Sequence, residues 1–430
     1  MRPLLIAALF LFWPLRLVLT RRLAPSTPLN WPIFLLLLWS PVGVWASQYQ
    51  DRSWEALGYL VLGIAFYFAL LNWPLTQRYP LLIVAGLGVV GLALAATGPA
   101  LLANIPEKLF TFSDDFAKSQ PVALFGLGET INSNVLAGTL LLPVCLLTAL
   151  ALQPRWLKKG AARWWAPLLL GLTTIGIVAA LLLTQSRGAY LALAIGMLLL
   201  LVLRWPRIGI AVAVAGIAAL VVLVGDGLME TFNNDSAITT TSGRMEVWQR
   251  ALYTLRDFPF TGLGIGAFGL VIPQLYPYEQ ISNGPDIIPH AHNLFLQVGV
   301  DLGIPGLLLY LWLWVSTLAN LIKLLRKQGN FDQGEEDLDE IKNAHLRHHL
   351  KRQFHRSVKL RWALAAGLLA TFVSLFIHGM VDAITWGTKV AFLPWLLFAL
   401  TALLMEQQPT SPAIEMAAET NVSDFKLIGQ

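Results

Sequence analysis

Cysteine is all but missing. Cys145 stands alone among 430 residues, so no intrachain disulfide can form, and a single thiol inside an apolar run carries no redox reading. Charge is the second scarcity. Asp, Glu, Lys and Arg supply 13% of the chain, against about 25% in a soluble protein, which excludes an ordinary soluble globular domain. A His-Glu-x-x-His zinc motif is absent, and the pair His290 and His292 lacks a third ligand in sequence. Gly264-Ile265-Gly266-Ala267-Phe268-Gly269 fits a dinucleotide fingerprint, but no strand–helix–strand unit surrounds it, and a tight turn is reason enough for its glycines. No tandem repeat of short period is visible. No small-residue cleavage site follows the apolar stretch 3–20, so a cleaved signal peptide is not the expectation there. Pro14 and Arg16 break that stretch, which reads as one span or as a short re-entrant hairpin.

What fills the chain instead is apolar. Hydrophobic residues make up 56% and mean hydropathy is +0.63, which predicts an all-α polytopic membrane protein. Runs near 31–47, 55–74, 80–103, 134–152, 166–184, 188–203, 208–225, 304–325, 361–381 and 389–406 approach the ~18–20 residues that cross a bilayer as helix. With Arg21 and Arg22 inside, alternating spans place 20 of the 30 Lys and Arg on the cytoplasmic side, eight outside, and leave Arg2 and Arg16 unassigned. That bias satisfies the positive-inside rule. The net charge of +5 is therefore a topology signal and does not point to nucleic acid.

The spans divide the chain into an N-terminal part, 1–225, with an external loop near 104–133; a long external loop, 226–303; a C-terminal part, 304–406, with a cytoplasmic segment 326–360; and a polar tail, 407–430, expected to be disordered. The loop 104–133 holds Asp114, Asp115, Phe125-Gly126 and Glu129. The loop 226–303 is long enough to suggest function. It has N-cap candidates from Thr239 to Ser242 and a helical run from Arg244 to Arg256. Met245, Trp248, Leu252 and Leu255 fall on one face of that run, and Asp257-Phe258-Pro259 stops it. The segment 326–360 runs from acidic to basic, ending with His345, His348, His349 and His355, and reads as a solvated helix, with lipid headgroups as the alternative partner.

Candidate chemistry concentrates outside the spans. Arg187, in Thr184-Gln185-Ser186-Arg187-Gly188, lies at a span junction where a charged residue is usually functional or paired; the alternative is a snorkelling helix-end arginine. Arg244 follows Ser242-Gly243 at a helix start, where free N–H groups and the helix dipole favour an anion that a guanidinium can grip; a plain surface arginine fits the spacing equally. His290 and His292 stand in Pro289-His290-Ala291-His292-Asn293, close to membrane re-entry, with Gln297 following. A neutral imidazole there can accept a proton from a hydroxyl; a structural loop histidine or a metal pair are the other readings. His378 and Asp382, one turn apart, form a possible relay or bond each other.

Taken together these motifs resemble the O-antigen ligase family, the lipopolysaccharide ligases and relatives sharing the O-antigen polymerase C-terminal signature. The resemblance rests on His292-Asn293 followed after nine residues by Gly303-x-x-Gly306, on Gln185-Ser186-Arg187-Gly188, on Gly243-Arg244 with Trp248, and on Gly262-x-Gly264 with Phe268. It covers most of 120–400. It implies a GT-C-type glycosyltransferase with about 10–12 transmembrane helices, at the outer face of a bacterial plasma membrane. The reaction so implied needs no metal or cofactor and inverts the anomeric centre. The donor would be a glycan on undecaprenyl pyrophosphate, and the acceptor lipid A–core, another glycan or a protein hydroxyl. Carried over, Arg187 and Arg244 bind the donor pyrophosphate and His292 activates the acceptor. His290, Asn293, Asn134, Ser186 and Trp248 support them. Polymerase and ligase chemistry stay undivided. A transporter for bicarbonate or glycan is the expectation from another class, and a non-catalytic scaffold a further one.

Overall fold

Apolar runs in lipid can satisfy their backbone N–H and C=O groups only within the segment, as helix. The computed structural model describes residues 18, 21, 25–101, 132–154, 157, 162–225, 241–279, 288–327, 339 and 344–406, and no strand occurs among them. Residues 3–17, Asp114, Asp115, Phe125-Gly126, Glu129, Thr239, most of 328–343 and the tail from 407 lie outside the described residues.

In chain order the helices are α1 (Asn30–Trp45), α2 (Gln50–Asn72), α3 (Pro74–Arg78), α4 (Leu81–Leu101), α5 (Ser133–Leu152), α6 (Ala162–Leu183), α7 (Arg187–Arg204), α8 (Pro206–Gly225), α9 (Thr241–Asp257), α10 (Phe268–Leu275), α11 (Leu294–Lys327), α12 (Ala344–Gly379) and α13 (Leu393–Glu406). Seven of them are long and apolar enough to cross a membrane: α2, α4, α5, α6, α7, α11 and α12. Three shorter apolar helices, α1, α8 and α13, coincide with the remaining runs in the sequence. The chain is a multi-pass membrane protein.

Helix α5 is the axis of the bundle. From Leu136 to Leu147 every residue is buried, because α4, α6, α7 and α12 all pack against it. Small residues let the backbones close up, as in membrane interiors generally. A Cβ on Gly196 would sit 2.0 Å from the Ser374 Oγ, and that hydroxyl donates to the Ala192 carbonyl at 2.9 Å. A Cβ on Gly63 would strike the Trp395 indole at 2.1 Å, which locks α2 to α13. On the outer surface, Trp165, Leu169, Ile175, Ile217 and Val221 are exposed. That is the expected face of a helix whose solvent is hydrocarbon.

Two local departures from the sequence reading matter for the site. The span expected to begin at 304 begins as helix at Leu294, and Gly303 (φ 70°, ψ −176°) breaks it. The nine residues before the break form a short helix that dips into the bundle. Its end carbonyls are taken up from elsewhere: Leu263 N–H donates to the Val300 carbonyl at 2.7 Å, and the Trp39 indole to the Leu302 carbonyl at 2.9 Å. Gly262 and Gly303 therefore serve close packing. A Cβ on Gly262 would meet the Val300 carbonyl oxygen at 2.2 Å, and one on Gly303 the Phe260 carbonyl oxygen at 2.2 Å.

Gly303 occupies a backbone region essentially reserved for glycine, where another residue is strained by about 1–3 kcal/mol before any clash. Gly303→Ala is expected to lower the unfolding temperature in detergent. Gly58→Ala, whose new Cβ meets nothing within 4 Å, is the matched control and is expected to leave it unchanged. Equal unfolding temperatures for the two variants would contradict the packing account.

The second departure is the facing of α9. Met245 and Leu252 are exposed, while Glu246, Val247, Arg250, Ala251 and Thr254 are buried. The physical reason is a buried ion pair. Arg250 donates to Glu246 at 3.2 Å, to the Pro277 carbonyl at 3.0 Å and to Glu279 at 3.3 Å. Those bonds neutralise the polar side and let it turn inward, so apolar periodicity alone picks the wrong face.

Candidate functional site

Several chain segments meet at one end of the bundle. The loop 288–293 leads into α11, and its last residue starts the helix. Asn293 Oδ1 accepts from the N–H groups of Phe295 and Leu296, both at 3.0 Å, which is an N-cap in the usual sense. Its Nδ2 donates to the Met380 carbonyl at 3.2 Å, tying this loop to the turn that follows α12. Asn293 thus holds two loops together.

That second turn carries Asp382. Its Oδ1 lies 2.6 Å from His290 Nε2 and also accepts from the Ala383 N–H at 2.7 Å. The His290 and His292 rings stack at 4.4 Å between centroids, tilted by 43°. One ligand atom from each of His290, His292 and Asp382 lies within 4.8 Å of the others. Asp382 is buried. Burial alone would raise its carboxyl. The hydrogen bond from His290, with the positive fields of His290, His292 and His378, overrides burial and holds it well below the usual carboxylate range. Asp382 is therefore an anion at neutral pH. His378, also buried, stays within electrostatic range of both Asp382 and Arg244, but the side chain bonded to Asp382 is His290. Proximity in sequence, four residues on one helix end, gives way to a partner 92 positions away.

His292 itself has φ +46°, a left-handed conformation that costs a non-glycine residue energy and persists only where the surroundings impose it. The impositions are visible. The Trp248 indole donates to the His292 carbonyl at 3.3 Å, the Ala291 N–H donates to Gln297 Oε1 at 2.7 Å, and the Asn293 cap follows directly.

The arginines come from two helix starts. Arg187 opens α7 after Ser186, which is extended (φ −81°, ψ 102°) and makes no side-chain cap. The preceding Gln185 is again left-handed, at φ +50°. Thr184, Gln185 and Ser186 are buried. Gly188 is needed here because a Cβ would meet Val381 Cγ2 at 2.5 Å, so α7 starts directly against the Asp382 turn. Arg244 lies in the first turn of α9. Burial pulls its guanidinium below the ordinary value; Asp382 opposes that pull and the like charge of Arg187 adds to it. Its Nε is buried with no hydrogen-bond partner among the described residues. Two guanidiniums at two helix N-termini lie within each other's field, and Arg244 lies also within that of the Asp382 carboxylate. Such an arrangement fits an anion.

Asn134 sits in the first turn of α5, where the Asn132 side chain accepts its N–H at 2.8 Å. Among the described residues no hydrogen bond joins it to the histidines. One turn on, Gly138 packs against Ile384 and the His378 ring, so α5 reaches the site as a wall. Asp382 was legible only as a neighbour of His378. Gln297 and Asp301 carried no motif, although their i, i+4 spacing was visible.

Residues 172–311 match the O-antigen ligase family. The match bears out the family resemblance read from the motifs. That family comprises ligase- and polymerase-type membrane glycosyltransferases that work with lipid-linked glycans and their acceptors. The O-antigen ligase match contains Gln185 to Gly188, Arg244, Trp248, the glycine turn and the whole histidine loop. Asn134 and Asp382 lie outside it. No curated protein matches the chain.

Proposed function

We propose that this chain transfers a glycan from undecaprenyl pyrophosphate to an acceptor hydroxyl, at the outer face of a bacterial plasma membrane, by a single inverting displacement. The observation that carries the reading is the convergence of Arg187 and Arg244 with His292, His290 and Asp382 at one end of the bundle. The charge bias of the loops supports reading that end as the outer one.

In this reading the acceptor oxygen attacks the anomeric carbon and its proton passes to a His292 ring nitrogen. The bond from the anomeric carbon to the pyrophosphate oxygen breaks, and the leaving group keeps the electron pair. Arg187 and Arg244 meet that growing negative charge with fixed guanidiniums in a low-dielectric cleft, where such groups act more strongly than in water. His290 stacks on His292 and is anchored by the Asp382 anion, which favours a cationic imidazole nearby after proton transfer. Attack and departure occur on opposite faces of the sugar, so configuration inverts. Acceptors in scope are lipid A–core sugars, another glycan chain and a protein hydroxyl.

The reading needs no metal. His290 and Asp382 bond each other at 2.6 Å, and the arginines supply the positive charge. Transfer is expected to be unchanged by EDTA. Loss of transfer on chelation, with recovery on adding a divalent cation, would assign the His290, His292 and Asp382 cluster to a metal instead.

The test of the whole reading is product analysis. Purified protein with a lipid-pyrophosphate-linked glycan and candidate acceptors is expected to release undecaprenyl pyrophosphate in step with acceptor glycosylation, and the new linkage is expected to have the opposite anomeric configuration. A retained configuration would contradict the single displacement.

A further inference from the structure

We propose that Gln297, held by Asp301, is the positioning residue that fixes the backbone between His290 and His292 and so aims the His292 imidazole at the acceptor hydroxyl. The inference rests on the reading of His292 as the base.

Ala291 is the one residue between the two histidines, and it is fully buried. Its N–H has a single hydrogen-bond acceptor, Gln297 Oε1, at 2.7 Å. The other end of the same amide, Nε2, donates to Asp301 Oδ1 at 2.8 Å, one helical turn on. The second Asp301 oxygen accepts from the Trp386 indole at 2.8 Å, and the Gly266 N–H also bonds this carboxylate. Gln297, Asp301 and Trp386 are all buried. The chain of bonds therefore runs from the histidine loop, through the short helix before Gly303, to the turn carrying Asp382 and to the glycine turn after α9.

Its polarity is fixed at both ends. The Ala291 N–H and the Trp386 N–H are donors, so an acceptor must face each, and one donor–acceptor bond must join the two acceptor groups. The neutral amide of Gln297 and the carboxylate of Asp301 satisfy this in one orientation only. A buried network is satisfied as a whole or is costly. This network is what the left-handed His292 needs, because a residue at φ +46° relaxes once its neighbours stop imposing the conformation. Gln297 touches no reacting atom. Its effect is on geometry, where displacement of a reacting group by about 1 Å costs roughly 100-fold in rate.

Substitutions that break and then restore this polarity test the role of Gln297. Gln297→Glu sets two carboxyls against each other, a pair that keeps the bond only while it holds a proton, so the variants are compared at alkaline pH. Asp301→Asn sets an amide N–H against either the Gln297 amide or the Trp386 indole. The double variant restores the polarity: the new carboxylate accepts from Ala291, and the new amide donates to it and accepts from Trp386. Saturating transfer rate (kcat) and donor Kd are measured in proteoliposomes for wild type, both single variants, the double variant and His292→Ala. Each single variant is expected to lose about 100-fold in kcat with donor Kd held within about twofold, and the double to return within about tenfold of wild type. Single variants within about threefold of wild type in kcat, or a double variant no faster than the singles, would overturn the inference. If a single variant does not fold, Gln297→Met removes the acceptor without adding charge and is read by the same two constants. Full transfer by His292→Ala would instead sink the base reading. An inactive His292→Ala beside an unimpaired Gln297→Glu would sink the positioning role alone.

Discussion

His292→Ala is expected to lower transfer by about 1000-fold, close to 4 kcal/mol of barrier, while the lipid-linked donor still binds. Three features argue for an effect of that size. A general base contributes roughly 100- to 10,000-fold where it is positioned. The His292 backbone is held left-handed by bonds on both flanks, a cost that a passive loop residue would have no reason to bear. The ring stacks on His290, which Asp382 anchors, so an imidazolium formed at His292 lies within the field of a buried anion. Donor binding is assigned to the arginines, so Kd is expected to stay near wild type. His290→Ala acts through His292 and is expected to be less severe. Transfer by His292→Ala within a few-fold of wild type would place the base elsewhere.

Arg187→Lys and Arg244→Lys form the second large prediction. Each is expected to reduce transfer by about 100- to 1000-fold and to weaken donor binding as well. Lysine keeps the charge, so a purely Coulombic site would tolerate it. A planar fork that takes two pyrophosphate oxygens at once would not. The environment sharpens the distinction. Arg244 is partly buried with its Nε unmatched among the described residues, and Arg187 adds repulsion to it. Isothermal titration with the lipid donor, beside transfer rates, separates the two effects. Wild-type affinity in both lysine variants would remove the arginines from the pyrophosphate site.

The sequence discloses the bundle well because the signal there is simple. Long apolar runs have one way to exist in lipid, and the ten runs return as ten apolar helices. It discloses less where polar contacts decide. The face of α9 goes astray because the Arg250 and Glu246 pair makes a polar side fit to be buried. The start of α11 is missed because its first turns contain Gln297 and Asp301, which lower the hydropathy of a segment that is nonetheless enclosed. The His290 partner is missed because it lies on a turn beyond another span. Motif spacing locates Arg187, Arg244 and His292 individually. Only the fold reveals that Gly188 brings the start of α7 against Val381, one residue from the carboxylate that anchors the histidine pair.

The most direct measurement is made in sealed proteoliposomes carrying the wild-type protein, a fluorescent undecaprenyl-pyrophosphate glycan and a hydroxyl acceptor. Glycosyl transfer is expected: label moves covalently onto the acceptor as undecaprenyl pyrophosphate appears in equal amount. Movement of the intact lipid-linked glycan across the bilayer, with its pyrophosphate bond unbroken and no labelled acceptor of any kind, would contradict it.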